Sequence, residues 1–317
     1  MEFGYIARRL LSAIPTVLLV TFLVFIAIHI VPGDVVDMML GTQNYLSESQ
    51  IEQLYTEYGL DKPLVVQYGI WVRNLLSFNL GTSLRTGRTV TELIRERFPV
   101  TLELSLFSLG FAMLFGIPMG IISAIKRNGF IDNFVRIIGL IGLSSPSFWV
   151  GAIFIVLFSG TFHGFNLFGY VRPGVDLISN LQVMFLPSLT LGLMVAAQIL
   201  RITRTSMLDV LNQDYVRTAR AKGVSVRNVI FKHSLRNALV PVVTLSGIQL
   251  GYLLGGTIVI ENMFALPGMG RLLLNVVNER DYPVVQGIVL FIGILIVLLN
   301  IAVDIIYTLI DPRVELR

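Results

Sequence analysis

Arg201, Arg204, Arg217, Arg220, Lys222, Arg227, Lys232 and Arg236 crowd into one stretch of a chain that is otherwise mostly apolar, with hydrophobic runs on both sides. The densest part runs from Asp214 to Ala238. A cationic, helix-forming loop of this kind cannot sit in lipid, so it is expected on the cytoplasmic face, open to a partner from which it receives force or information. Charge alone is equally consistent with a loop that enforces topology or binds anionic lipid. Other chemistry is poorly supplied. The chain has no cysteine, which excludes disulfides, thiol catalysis and Cys-ligated metal. His29, His163 and His233 are scattered, with no i, i+4 pair and no adjacent carboxylate cluster, so neither a metal site nor a cofactor is expected. No group of His, Asp, Glu and Ser converges at one depth, as a membrane-embedded enzyme would require.

The elements that must position this loop are membrane helices. Of 317 residues, 54% are hydrophobic and 14% are charged, against about 25% charged in soluble domains. The apolar residues fall into runs long enough to span a bilayer, for which about 20 residues are needed. The reading is an all-α polytopic membrane protein with six transmembrane helices and a helical external segment after the first. The spans are placed at Leu10–Val31, Leu102–Ile125, Phe134–Ser159, Val183–Leu200, Leu239–Ile260 and Val284–Ile310. The first is read as a retained helix, because its apolar run is too long for a signal peptide and no small-x-small cleavage site follows. Gly116, Pro118, Gly142, Pro146, Pro187 and Gly251 lie within spans, where neighbouring helices tolerate them and small residues allow close contact. Arg8 and Arg9, Lys126 and Arg127, the 201–236 cluster, and Arg313 and Arg317 all fall on one side of a six-span chain. Both termini are therefore expected in the cytoplasm. The division expected is 1–31 as N-terminal transmembrane helix, 32–101 as external segment, and 102–317 as a five-helix core with its loop at 201–236.

The external segment is expected to be helical. Ser47 and Gln50 form a capping box for Glu48–Tyr58, with Gly59 at its end. Pro63 opens Leu64–Leu76. Thr89 and Glu92 cap Val90–Arg97, which is expected to stop at Phe98-Pro99. Such a segment suits a cap over a path, a docking surface for an external partner, or a packing lid. Within the cytoplasmic loop, Asp209–Lys222 is expected as one helix stopped by Gly223, and Val226–Arg236, N-capped by Ser225, as a second. In the spans, Gln198, Gln249, Asn300 and Asp304 stand out as polar residues that line a path or serve structure. Asp304 is read as the partner of a basic residue of the loop, His29 as a packed interfacial residue, and Phe264–Gly270 as a short re-entrant or capping turn.

The order of residues in the loop goes beyond charge. Arg217-Thr218-Ala219-x-x-x-Gly223 resembles the Glu-Ala-Ala-x-x-x-Gly motif of the permease subunits of binding-protein-dependent ATP-binding-cassette importers. Arg217 and Thr218 replace the Glu and first Ala. The Ile-x-Leu-Pro that follows in the family stands here as His233-Ser-Leu-Arg236, with proline only at Pro241. These departures resemble the dipeptide/oligopeptide/nickel branch. So do Tyr58-Gly-Leu-Asp-Lys-Pro63, Asn79-Leu-Gly-Thr-Ser83, Arg236-Asn-Ala-Leu-Val-Pro241, Phe264-Ala-Leu-Pro-Gly-Met-Gly270, Arg280-Asp-Tyr-Pro283 and Asp311-Pro-Arg313. Arg8-Arg9-Leu10 and Pro32-Gly-Asp34 resemble the first of that branch's two permeases. The resemblance covers essentially the whole chain. It implies half of a translocation path for short peptides, with ATPase coupling through Arg217, Thr218, Ala219, Arg220, Ala221, Lys222 and Gly223. It also implies a second permease, two cytoplasmic ATP-binding subunits, an external substrate-binding protein, and a prokaryotic inner membrane. No Gly-x-x-x-x-Gly-Lys-Ser/Thr loop is present, so ATP hydrolysis is expected on another chain. Nickel or oligosaccharide cargo stays open, and an ion-coupled secondary transporter is the competing class.

Overall fold

The computed structural model describes residues 2–30, 48–57, 60–161 and 166–310. Its described residues form helices: α1 (Glu2–Ile30), α2 (Glu48–Glu57), α3 (Leu64–Leu76), α4 (Val90–Ile125), α5 (Phe130–Ser144), α6 (Ser147–Thr161), α7 (Leu177–Leu211), α8 (Asp214–Ala221), α9 (Val226–Gly256), α10 (Ile258–Met263), α11 (Met269–Asn278) and α12 (Tyr282–Ile310). No strand occurs among them beyond an isolated bridge, Thr82 to Thr89. Among the described residues four helices (α4, α7, α9 and α12) are long and apolar enough to cross a membrane, and the α5–α6 pair makes a fifth if counted as one span. The protein is thus a multi-pass membrane protein, all-helical over its described residues.

Several sequence expectations need correction. The span expected over Phe134–Ser159 is two helices bent by 104°. The bend lies at Pro146, which lacks an N–H and pushes the preceding residue out of the helical region; Ser145 is extended at φ −84°, ψ 128°. By contrast, the helix opened by Thr89 does not stop at Phe98-Pro99 but continues to Ile125. Val90, Leu93 and Ile94 before that proline, and Val100 and Leu104 after it, are all buried, and this packing holds the helix together. The helix expected over Asp209–Lys222 is interrupted: α7 ends at Leu211 and α8 begins at Asp214. The second loop helix, expected over Val226–Arg236, does not end there. It passes through a π-helical turn at Val229–Ser234 and runs on to Gly256. Leu235 to Leu239 contains no breaker, and Ala238 is fully buried, so nothing stops propagation. Ser225 stands at the start of α9, but its side chain makes no capping hydrogen bond. Ser47, Gly59 and Asp304's side chain lie outside the described residues.

The chain divides into two compact units. The first comprises Met1–Pro99 and Gly268–Val297. Within it, Phe25 of α1 meets Tyr68 and Trp71 of α3 at 5.3 and 6.1 Å between ring centroids. Thr21 and Tyr68 hydroxyls are 2.9 Å apart. His29 lies against Phe25 at 4.1 Å, with Nε2 3.3 Å from Gln67 Oε1. A second cluster joins Val90, Leu93 and Ile94 to Met269, Val276, Val284 and Ile288. Two motifs distant in sequence meet here: Ser83 Oγ donates to Asp281 Oδ2 at 2.5 Å, and Leu84 N–H to Oδ1 at 3.3 Å. Asp281 is 1% exposed, so these donors replace the water it has lost.

The second unit comprises Val100–Pro267 and Leu298–Arg317. Its core holds Leu104, Met184, Leu186, Ile199, Phe264 and Leu266. Glu261 is buried, its Oε1 accepting from Thr101 Oγ1 at 2.6 Å and Thr257 Oγ1 at 2.8 Å. Helices α4 and α7 approach through glycines. A Cβ on Gly116 would lie 2.8 Å from Ala196 O, one on Gly120 2.8 Å from Leu200 O, and one on Gly192 2.8 Å from Ser108 O. Gly116 and Gly120 form a Gly-x-x-x-Gly stripe, the device that lets membrane helices pack backbone to backbone. Because backbone atoms cannot rotate away, Gly120→Val is expected to destabilise the chain by about 1–3 kcal/mol. Gly110→Val, where a Cβ meets nothing within 4 Å, is the control. Thermal unfolding of the detergent-purified variants checks this; equal loss in both would show that the α4–α7 approach does not limit stability.

Candidate functional site

The basic segment is built on a small hydrophobic base. Ile121 and Ala124 near the end of α4, Met207 of α7, and Ile230 and Ala238 of α9 form one buried cluster. Above it sits α8. Only Val216 of this helix is buried, at 0% exposure, and it anchors the helix. Tyr215 ties it down further: its hydroxyl accepts from Asn237 Nδ2 at 2.9 Å and donates to His233 O at 3.4 Å. Arg217, Thr218, Arg220, Ala221, Lys222 and Gly223 are exposed, and Ala219 is half-buried. The Arg217–Asp214 ion pair, 3.5 Å long with both side chains at least 80% exposed, adds almost nothing to stability.

The end of α8 is set by geometry at Gly223. Its φ is +77°, its N–H donates to Arg220 O at 3.0 Å, and Val224 N–H donates to Ala219 O at 3.2 Å. These two bonds are a Schellman motif, which satisfies carbonyls at a helix end and requires a left-handed residue after it. A Cβ on Gly223 would meet nothing within 4 Å, so backbone conformation alone demands glycine. The result is a short, rigid, cationic helix that presents Arg217, Arg220 and Lys222 outward.

A second feature braces the region. Asp132, fully buried in the first turn of α5, accepts two hydrogen bonds from Arg204 of α7, both 2.8 Å long. It also accepts from Ser123 Oγ at 2.5 Å and Asn128 N–H at 2.9 Å. In the sequence Arg204 reads as one more topological charge, and nothing pairs it with Asp132. A lone acid at a span end beside a Lys-Arg pair was the only sequence signal.

Of the polar span residues, Gln198 of α7 and Gln249 of α9 come together, Gln249 Nε2 donating to Gln198 Oε1. They line an open cavity of about 480 Å³ with Ser147, Tyr252, Leu191 and Met194 among its walls. Asn300 is exposed on α12 and does not line this cavity. No group of three or more His, Cys, Asp or Glu side chains able to hold a metal occurs among the described residues.

Residues 116–316 match the family described as binding-protein-dependent transport system inner membrane component, and residues 2–105 match that family's N-terminal membrane component. The glutathione transport system permease protein GsiC of Pectobacterium atrosepticum is 44% identical, covering 99% of both chains. The di/tripeptide transport system permease protein DppB of Pseudomonas aeruginosa is 42% identical, covering 98% of both. Among solved structures, a chain of the inward-facing methionine ABC transporter MetNI superposes with a TM-score of 0.56 at 22% identity, covering 70% of this chain and 97% of that one. This last likeness concerns the fold.

Proposed function

Because the chain belongs to the family of binding-protein-dependent transport system inner membrane components, we propose that it is the permease subunit of an ATP-driven importer of short peptides. The carrying observation is end-to-end similarity to permeases named for glutathione and for di- and tripeptides. In this reading α1 is a sixth span, and both termini and the 201–236 region are cytoplasmic. Residues 32–101 form the external segment between the 1–31 helix and the 102–317 core. A second permease completes the path, two separate ATP-binding chains hydrolyse ATP, and an external binding protein delivers the peptide.

Helix α8 and its Gly223 corner form the coupling element. Support comes from the exposure of Arg217, Thr218, Arg220 and Lys222, from the rigid Schellman end, and from the anchoring of the helix by Val216 and Tyr215. A docked ATPase moves such a helix as one body, and the cluster beneath it passes the motion to α4, α7 and α9. The coupling does work only if the ATPase binds α8 differently in its two states.

Topology tests this arrangement directly, since the chain lacks cysteine. Ser49→Cys in intact cells is expected to react with a membrane-impermeant maleimide, and Ser225→Cys to react only after permeabilisation. The reverse pattern would refute the orientation. The functional reading is tested by reconstituting the permease with its ATPases and binding protein in liposomes. ATP-dependent uptake of a radiolabelled tripeptide is expected; uptake driven by an ion gradient without ATP would point instead to a secondary transporter.

A further inference from the structure

The paired glutamines leave a specific set of hydrogen-bonding groups unused. Gln249 Nε2 donates to Gln198 Oε1. That single bond satisfies the carbonyl of one amide and a donor of the other. Among the described residues this is the one side-chain hydrogen bond of either glutamine, so no donor meets Gln249 Oε1 and no acceptor meets Gln198 Nε2. The pair therefore offers one free carbonyl and one free N–H₂ at the wall of the 480 Å³ cavity. Gln249 is 7% exposed, so its position is held by packing; Gln198 is exposed at the mouth. The rest of the wall follows helical spacing. Leu191 and Met194 precede Gln198 on α7, and Tyr252 and Gly256 follow Gln249 on α9.

A free amide carbonyl and N–H₂ facing hydrocarbon are costly, since nothing in lipid satisfies them. This face must therefore meet water or a polar ligand. One carbonyl beside one N–H₂ is the complement of a peptide group, which offers one N–H and one C=O. The cavity volume lies within the roughly 300–1,000 Å³ range of small-ligand pockets. Its remaining walls are mostly apolar, and Met194 adapts to different side chains.

We propose that the Gln198–Gln249 pair is a main-chain recognition subsite, gripping a peptide group of the passing substrate independently of its side chains. The inference rests on the peptide-importer reading and deepens it. The main chain is the feature all short peptides share, so a grip on it serves a path that accepts many sequences. The competing occupant is a side chain of the second permease, packed against this face.

The test uses the complete transporter in liposomes with binding protein saturated by one of two cargoes, loading being confirmed by mass spectrometry. One cargo is radiolabelled trialanine. The other is the same peptide methylated on its central amide nitrogen, which removes the N–H. The unmodified transporter is expected to import trialanine about tenfold faster, the fold-change that loss of one hydrogen-bonded partner produces. In Gln249→Leu, which removes the carbonyl that accepts the peptide N–H, trialanine import is expected to fall by a similar factor and the preference to approach one; in Gln198→Leu, which removes the donor to the peptide C=O, import of both cargoes is expected to fall and the preference to persist. Stimulation of ATP hydrolysis by loaded binding protein should persist, showing that assembly and coupling survive. Three results overturn the inference: equal import of both cargoes by the unmodified transporter, the full preference retained in Gln249→Leu, or failure of both variants to assemble with the second permease. The last would place a subunit contact here. If the unmodified transporter imports neither cargo, the peptide reading itself fails.

Discussion

Asp132→Ala is expected to destabilise the folded permease by about 3–5 kcal/mol, the cost of leaving a buried charge without its partner. Asp132 is fully buried, and Arg204's side chain is 19% exposed. Removing the acid strands the guanidinium between α5 and α7 and leaves Ser123 Oγ and Asn128 N–H without their acceptor. Replacing both partners with apolar residues of similar size, as Asp132→Leu with Arg204→Met, is expected to recover most of the loss, because no charge then remains to be paired. The measurement is the melting temperature of the purified protein in detergent across the three variants. A double variant no more stable than Asp132→Ala would show that the cost comes from packing. Wild-type melting in Asp132→Ala would show that water already reaches the pair.

Gly223→Pro should abolish coupled transport while leaving the membrane helices in place. Proline fixes φ near −65° where the backbone stands at +77°. It also removes the N–H that bonds to Arg220 O. A penalty of ~3 kcal/mol falling wholly on the docked geometry corresponds to a drop in uptake of roughly a hundredfold. Ala219→Trp reaches the same end by another route. Ala219 is half-buried where α8 closes its last turn, and an indole there overfills any close fit, at about 1–3 kcal/mol. Each variant is purified with its partner permease to confirm assembly. Substrate uptake is then measured beside ATPase stimulation by loaded binding protein. Normal values for both quantities in both variants would refute the coupling role and leave the loop as a topology anchor.

Helix continuity was the least legible property of the sequence. Proline is the clearest example. Pro146 breaks its span and Pro99 does not, although each sits in an apolar context. Proline's local cost is the same at both; the difference is what the helix buries on either side. Around Pro99 the buried residues Val90, Leu93, Ile94, Val100 and Leu104 give the continuous helix enough packing to override the lost hydrogen bond. Ser225 and Leu211 teach the same lesson at the loop. Propensity placed helix in both halves, but burial of Val216, Ile230 and Ala238 decided where one helix ended and the next ran on.

The sequence by itself determined the class of the protein, its apolar runs, its cationic loop and the glycine corner that ends α8. Each of these is local: a run of apolar residues must avoid water, a charge must avoid lipid, and a left-handed residue at a helix end favours glycine wherever it occurs. Only the tertiary structure decided that Asp132 belongs to Arg204, Ser83 to Asp281, Thr101 to Glu261 and Gln198 to Gln249. The partners in these pairs are 51 to 198 positions apart. A buried polar group takes whichever partner the packing of apolar helices brings within about 3 Å. That choice depends on how glycine stripes such as Gly116 and Gly120 let the helices cross, a relation between segments that no single segment encodes.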